Sequence, residues 1–337
     1  MSFKPFFGLF REGRLGALLR VAPDLKPFYR LTWLAAAGEA GLLSRLAGGP
    51  VTFDSLAEFV GAREQGREAL EAWLQLGLRL RLLRFDPSGY SLRGQASALA
   101  QPENDATLAM VEEVAGLHHK LISATLPKLR NGQLFTLADQ DGELIARSSR
   151  VLEAFQVEAI HRAFPAKGAL RLLEIGCGSG VYLRYAALHN PSLTAVGLEL
   201  QPAVAEMARR NLRTWGLDSR VLVEDGDFRA KAPGEQFDIV TLYNNIYYFP
   251  VAERVALFER IARFLKAGGF LLLTTCCQGG SLGVEALNLW GAATAGAGRL
   301  PTEKELVTQL RHAGFRAVKR TNLVPGDRFV AFQAMRA

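Results

Sequence analysis

Leu170-Arg171-Leu172-Leu173-Glu174-Ile175-Gly176-Cys177-Gly178-Ser179-Gly180 decides the fold of this 337-residue chain. An apolar run turns on three glycines and passes into a helix-like stretch, Val181 to Leu188. A strand, a glycine bend and a helix start in that order make a nucleotide-shaped socket. Glycines let the backbone approach a ligand without a Cβ in the way, and a helix start offers unpaired N–H groups. The dinucleotide version needs Gly-x-Gly-x-x-Gly. Here the third glycine comes one place early, at Gly180, and Val181 fills the slot that pattern reserves for glycine. Glu174, two residues before Gly176, adds a carboxylate that would repel a pyrophosphate and suit an ammonium.

S-adenosylmethionine has an ammonium and a sulfonium and no phosphate, so the bend reads as a methyl-donor site rather than a dinucleotide site. Downstream of it, residues 166–337 alternate strand and helix. Strands are predicted at 171–175, 194–198, 220–224, 237–242, 270–275, 317–323 and 328–335, with helices such as 203–215 and 251–265 between the first five. Such alternation argues for an α/β, doubly wound and mostly parallel seven-stranded sheet. The last two strands, joined by Val324-Pro325-Gly326-Asp327, read as an antiparallel hairpin at its edge. A doubly wound sheet binds its ligand at the carboxyl ends of the strands. Glu199 ends the second strand 19 positions after Gly180, close to the roughly 20 expected of an acid that meets ribose hydroxyls. Its plain alternative is a solvated strand-end acid. After the third strand come Asp225-Gly226-Asp227-Phe228. Asp227 can accept an adenine amino proton and Phe228 can cover the ring, or the four form an ordinary turn.

Taken together, Glu174-x-Gly176-x-Gly178-x-Gly180, Glu199 and Gly226-Asp227-Phe228 resemble the successive motifs of class I S-adenosylmethionine-dependent methyltransferases. The resemblance covers about 170 residues. With the N-terminal part, the whole chain is similar to the small-molecule O-methyltransferases, in which a winged-helix module serves dimerisation and one wall of the substrate pocket. The resemblance implies a small aromatic or polyketide-like methyl acceptor, with oxygen, carbon or nitrogen as acceptor atom. It also implies cofactor contacts at Leu200, Tyr243 and Asn244. That family usually has His-Asp-Trp after the fourth strand, and the His deprotonates a phenol. This chain has Tyr247-Tyr248-Phe249 there, so the usual base is missing.

Three residues are candidates to replace it. His118 and His119 lie on a helix that lines the pocket in this architecture, and histidine transfers protons near neutral pH. Alternatively they are one surface and one packed histidine. Tyr247 can orient a hydroxyl, but a pKa near ~10 makes tyrosine a poor base at neutral pH. Phe155, Asn245, Tyr248, Phe249, Glu285, Asn288 and Trp290 are candidate pocket residues. No metal site is expected, because adjacent histidines on a helix diverge by about 100°.

Residues 1–100 read as mainly helical. Thr52 caps a short helix, a longer one runs from Glu64 to about Leu83, and Asp86-Pro87-Ser88-Gly89 turns a small hairpin. Three helices and a hairpin make a winged-helix module. Residues 101–165 read as linking helices, with an apolar stripe through Met110, Val114, Leu117, Leu121, Ile122 and Leu126 that Pro127 ends or kinks. A second linking helix is expected from Asp141 to Phe164. The phenylalanine-rich start, Phe3 to Phe10, reads as a dimer arm or a lid.

Net charge is +7, spread rather than blocked, with 49% hydrophobic and 22% charged residues. That fits a globular protein of two or three domains. The three cysteines give no disulfide framework, which favours a reduced, cytoplasmic setting. No apolar run approaches the ~20 residues that cross a bilayer, and the N-terminus lacks the apolar core of a secretion signal. A winged helix also raises a DNA-binding regulator that senses the cofactor. Its third helix carries Glu64, Glu68 and Glu71, which would face phosphates, so no nucleic acid partner is expected. A cofactor-binding protein without turnover is the remaining alternative.

Overall fold

The computed structural model describes residues 10–234 and 236–337. Phe3, Phe6 and Phe7, expected to belong to an arm or lid, lie outside the described residues. The chain divides between Gly116 and Leu117 into two units.

In the first unit, α1 (Arg14–Glu39), α2 (Leu42–Ala47), α3 (Phe53–Phe59) and α4 (Glu64–Arg79) precede a hairpin of β1 (Leu83–Asp86) and β2 (Gly89–Leu92). Helices α5 (Gln95–Leu99) and α6 (Asp105–Glu113) follow. Thr52 caps α3 as expected, its hydroxyl accepting the Ser55 N–H at 3.4 Å. Leu34, Leu43, Leu56, Leu74 and Leu82 form the core and Trp33 stacks on Trp73 at 4.4 Å. Gly77 is required there, because a Cβ would stand 2.6 Å from the Trp33 ring. Glu64, Glu68 and Glu71 face solvent along α4.

The second unit begins with α7 (His119–Arg130), α8 (Gly142–Ser148) and α9 (Glu153–Ala163). Pro127 does not end α7; the helix runs on to Arg130. Its apolar stripe is not a core stripe either, for Leu121 is buried while Ile122 and Leu126 are about two-thirds exposed, at 68% and 65%. The helix expected over 141–164 is broken by a 3-10 turn, Ser149–Leu152.

Then come β3 (Arg171–Ile175), α10 (Val181–His189), β4 (Thr194–Glu199), α11 (Pro202–Thr214), β5 (Val221–Asp225), β6 (Phe237–Tyr243), α12 (Arg254–Phe264) and β7 (Leu265–Cys276). The unit closes with α13 (Leu282–Ala293), α14 (Glu303–His312), β8 (Phe315–Asn322) and β9 (Phe329–Arg336). The seven strands lie in the order β5-β4-β3-β6-β7-β9-β8. All neighbours from β5 to β7 are parallel, and β9 runs antiparallel to both β7 and β8. The predicted sheet and its terminal hairpin are both present. The order reverses between β3 and β6, and a doubly wound sheet opens its ligand crevice at that switch.

One core packs β3, β6 and β7 against α12 and α14, with Phe258, Ile261, Phe264 and Leu310 fully buried. Another packs the opposite face against α9, α10 and α11. Each such side chain contributes roughly 1.5–3 kcal/mol on leaving water, and the two layers cover both faces of the sheet.

Candidate functional site

A cavity of about 410 Å³ lies at the carboxyl ends of β3, β4, β5 and β6, all within the second unit. Pockets for small ligands occupy roughly 300–1,000 Å³. The glycine bend forms its floor. Gly176 and Cys177 both donate their N–H to the Leu198 carbonyl, at 2.7 and 3.1 Å. This ties the bend to the end of β4. Gly176 sits at φ +69, and a Cβ on it would stand 2.3 Å from Asn245 Nδ2. Asn245 Nδ2 donates instead to the Ile175 carbonyl at 2.6 Å. Gly180 caps α10 at φ +78 and does not line the cavity; the space where its Cβ would be meets Ala208 of α11 at 3.5 Å. The left-handed backbone, not the space, calls for glycine there.

Glu199 lines the cavity at the end of β4 and is 8% exposed. Its carboxylate accepts the N–H of Gly178 and of Gln201, each at 3.0 Å. One acid thus holds the bend and the next helix entry while keeping further lone pairs for a ligand. The Gly226 N–H donates to the Glu199 carbonyl at 2.9 Å and brings the loop after β5 alongside. Leu200, Gly226, Asp227, Phe228, Tyr243 and Asn244 line the same cavity. Asn244 adopts φ +48, which asparagine tolerates, and its N–H reaches the Thr274 carbonyl at 2.6 Å.

Glu174 corrects one expectation. It does not line the cavity. Strand residues alternate faces, so Glu174 shares the face of Leu172, under α9 and α10, while Ile175 reaches the cavity. Its side chain is 1% exposed and, among the described residues, neither oxygen has a hydrogen-bond partner. Burial first, and the charge of Glu199 second, push its carboxyl well above the usual range. The Cys177 thiol is pushed up by burial and by the same two acids.

The far wall is aromatic. Tyr247, Tyr248 and Phe249 line it, with Tyr247 and Tyr248 at 4.9 Å and the Tyr248 hydroxyl accepting from Gln140 Nε2 at 3.1 Å. Trp290 stands behind them, 2% exposed and edge-on to both rings, and does not reach the cavity. Phe155 faces outward, because one helical step puts its neighbour Gln156 into the wall instead. Glu285 and Asn288 lie off the cavity as well. Glu285 caps the Gly279 N–H at 2.8 Å and Asn288 accepts from the Leu300 N–H at 3.0 Å.

His118 and His119 do not line the cavity either; α7 turns Leu121 inward, and His119 is exposed. Among the described residues, no histidine or lysine lines it. Tyr182, missed by the sequence reading, lines it and meets the Tyr243 ring edge-on at 5.5 Å. Burial raises both phenols above their ordinary range. Cys276 and Cys277 are buried and free, with thiols pushed up to about 12 by burial. Among the described residues, no group of three His, Cys, Asp or Glu is placed to hold a metal ion. No described helix is long and apolar enough to cross a membrane.

The family model described as a methyltransferase domain matches residues 147–320, just over half of the chain. Demethylspheroidene O-methyltransferase of Rhodobacter capsulatus is 25% identical over 304 residues, 85% of this chain and 74% of that protein. N,N-dimethyltransferase OxyT of Streptomyces rimosus is 26% identical over 262 residues, 73% and 74% of the two chains. A release factor glutamine methyltransferase of Rhodospirillum rubrum is 35% identical over 94 residues, and the match spans only 28% of that protein. The structure of the mitomycin 7-O-methyltransferase MmcR superposes with a TM-score of 0.79 at 21% identity, over 97% of this chain and 100% of that one. That likeness is one of fold.

Proposed function

The chain belongs to the methyltransferase domain family, and we propose that it methylates a small aromatic or polyketide-like molecule by positioning and desolvation, without a side-chain base. The observation that carries this reading is a cavity with a nucleoside-binding end and an aromatic end. The first has the glycine bend and Glu199, with Phe249 beside Arg229; the second has Tyr247 and Tyr248 and, among the described residues, no histidine or lysine.

The residues fit S-adenosylmethionine. The bend is closed to a Cβ at Gly176 and open to a ligand backbone at Gly178. Glu199 presents its remaining lone pairs to a ribose diol, and Gly226, Phe228 and Leu200 border the base. Gln156 accepts from the Thr274 hydroxyl on its Oε1 at 2.5 Å, leaving Nε2 as a buried donor without a partner among the described residues. When bound, S-adenosylmethionine supplies an electrophilic methyl group on a sulfonium and its own leaving group. The protein's share is then to hold the acceptor in line and keep water away. Tyr247 and Tyr248 stack on the acceptor, and Asn245 and the Gln140–Tyr248 pair orient it. With no histidine or lysine among the described lining residues, the acceptor's proton leaves to solvent. Acceptors with an acidic hydroxyl, an amine or a nucleophilic carbon meet that demand. The related O- and N-methyltransferases point the same way.

A homodimer through the N-terminal unit is part of the proposal. The first nineteen residues of α1, 14–32, include no buried side chain, Trp33 being the first. Three free, buried cysteines suit a cytoplasmic setting. Incubation with S-adenosylmethionine and a panel of hydroxylated and aminated polycyclic aromatics, read as S-adenosylhomocysteine released and product mass, tests the activity. Binding of the cofactor with no product from any class of acceptor would favour the non-catalytic alternative.

A further inference from the structure

Asp227, the acid expected to accept an adenine amino group, is already engaged by a side chain of the same wall. The Arg229 backbone N–H donates to its Oδ1 at 2.8 Å. Arg229 Nε reaches Oδ2 at 2.9 Å and Oδ1 at 3.1 Å, and Nη2 lies 2.7 Å from Oδ2. Both carboxylate oxygens are taken from one direction, and both residues line the cavity. The guanidinium also lies over the Phe249 ring at 5.9 Å. Burial pushes the Asp227 carboxyl up, but Arg229 outweighs it and holds the group below the usual range, so it stays an anion. A forked guanidinium on a carboxylate is among the stronger polar pairings and fixes orientation as well as charge.

We propose that Arg229 is a specificity-determining residue, which withholds the Asp227 carboxylate from the exocyclic amine of the bound purine. The base is then held by its faces, against Phe228, Phe249 and the guanidinium plane, rather than by its amino group. This rests on the reading of the cavity as an adenosyl-cofactor site. It follows that the wild-type protein discriminates weakly between purines with and without the amino group, and that freeing Asp227 restores discrimination. A hydrogen bond to a charged group changes affinity by roughly 10- to 100-fold.

The experiment is calorimetric titration of the full chain with S-adenosylhomocysteine and with its analogue that has hydrogen in place of the 6-amino group. The readout is the ratio of the two dissociation constants. Arg229→Met, which keeps an apolar stem over the site, is expected to raise that ratio by about tenfold. Arg229→Gln, a polar replacement at this half-exposed position, should move it the same way and guards against a folding defect in the first variant. Asp227→Ala placed in the Arg229→Met background should return the ratio to the wild-type value. A ratio unchanged or lowered by both Arg229 variants overturns the inference, as does a gain that survives the loss of Asp227. Failure of the wild type to bind S-adenosylhomocysteine at all would instead sink the methyl-donor reading itself.

Discussion

Glu199 does two jobs with one carboxylate: it ties Gly178 and Gln201 together and faces the cavity. Replacing it by glutamine keeps the volume but puts an amide where two backbone N–H groups need acceptors. We expect S-adenosylhomocysteine to bind at least about tenfold more weakly to Glu199→Gln, since charged hydrogen bonds contribute roughly 1.5–3 kcal/mol. Titration calorimetry giving the wild-type affinity would remove Glu199 from the site. Glu174 calls for the opposite experiment. Its folded-state carboxyl is raised by burial, so the native chain holds a proton that the unfolded chain has lost. Stability from this group is complete below the usual carboxylate range and is lost as pH climbs toward the raised value. Glu174→Gln removes that dependence. Its melting temperature without ligand should gain on the wild type as pH rises above about pH 4, and parallel curves would refute the buried-acid account. The two glutamates also show what could be read in advance. Glu199, Gly226, Asp227 and Phe228 were legible because a strand end has one place to go. Glu174 was misread because alternation sends it to the helix-covered face, and Gln156 and Tyr182 were invisible because their helices' rotation is set by packing.

The glycine bend makes a prediction at the scale of elements. Gly176 and Gly178 share positive φ, at +69 and +54, yet only Gly176 is crowded, by Asn245. Gly178→Ala meets open space and should cost only the backbone penalty of about 1–2 kcal/mol. Gly176→Ala adds the loss of the Asn245 bond to the Ile175 carbonyl, which joins β3 to the loop after β6. It should cost about 1 kcal/mol more than Gly178→Ala in urea unfolding and weaken cofactor binding further. Equal costs would mean that Asn245 does not brace the bend. Arg254 braces the opposite wall. Fully buried on α12, it donates to the carbonyls of Phe249 at 3.2 Å and Arg299 at 2.6 Å. Arg254→Leu orphans both, and at about 1–3 kcal/mol for each buried group a clear fall in the urea midpoint is expected; an unchanged midpoint would show that water replaces the guanidinium. The strands were predicted to within about two residues because their apolar runs end at glycine and polar turns. β7 was the exception: it starts at Leu265, five residues early, through a pairing with Phe237 across an irregular register. Periodicity cannot see such a pairing, nor the 3-10 turn that breaks the helix at Ser149.

At the scale of the molecule, the first half of α1 carries an apolar row that no other described residue buries. Leu18, Val21, Leu25 and Phe28 recur at helical spacing along α1 and are 58%, 55%, 41% and 49% exposed. Pro23 and Pro27 lie inside the helix, each removing a hydrogen bond at a cost near 3 kcal/mol that packing must offset. An apolar row spaced three and four apart is the pattern that packs against another helix. A second copy is the partner that this protein always has at hand. Sedimentation equilibrium of the full chain should therefore report a dimer. The pair of substitutions Leu18→Glu and Leu25→Glu puts two charges on the row without touching Trp33 or the core around it. It should shift the chain to monomer while leaving affinity for S-adenosylhomocysteine within about twofold of wild type, because the lining residues all lie beyond Gly116. A wild-type monomer would end the dimer proposal, and a dimer indifferent to both charges would place the interface on some other surface.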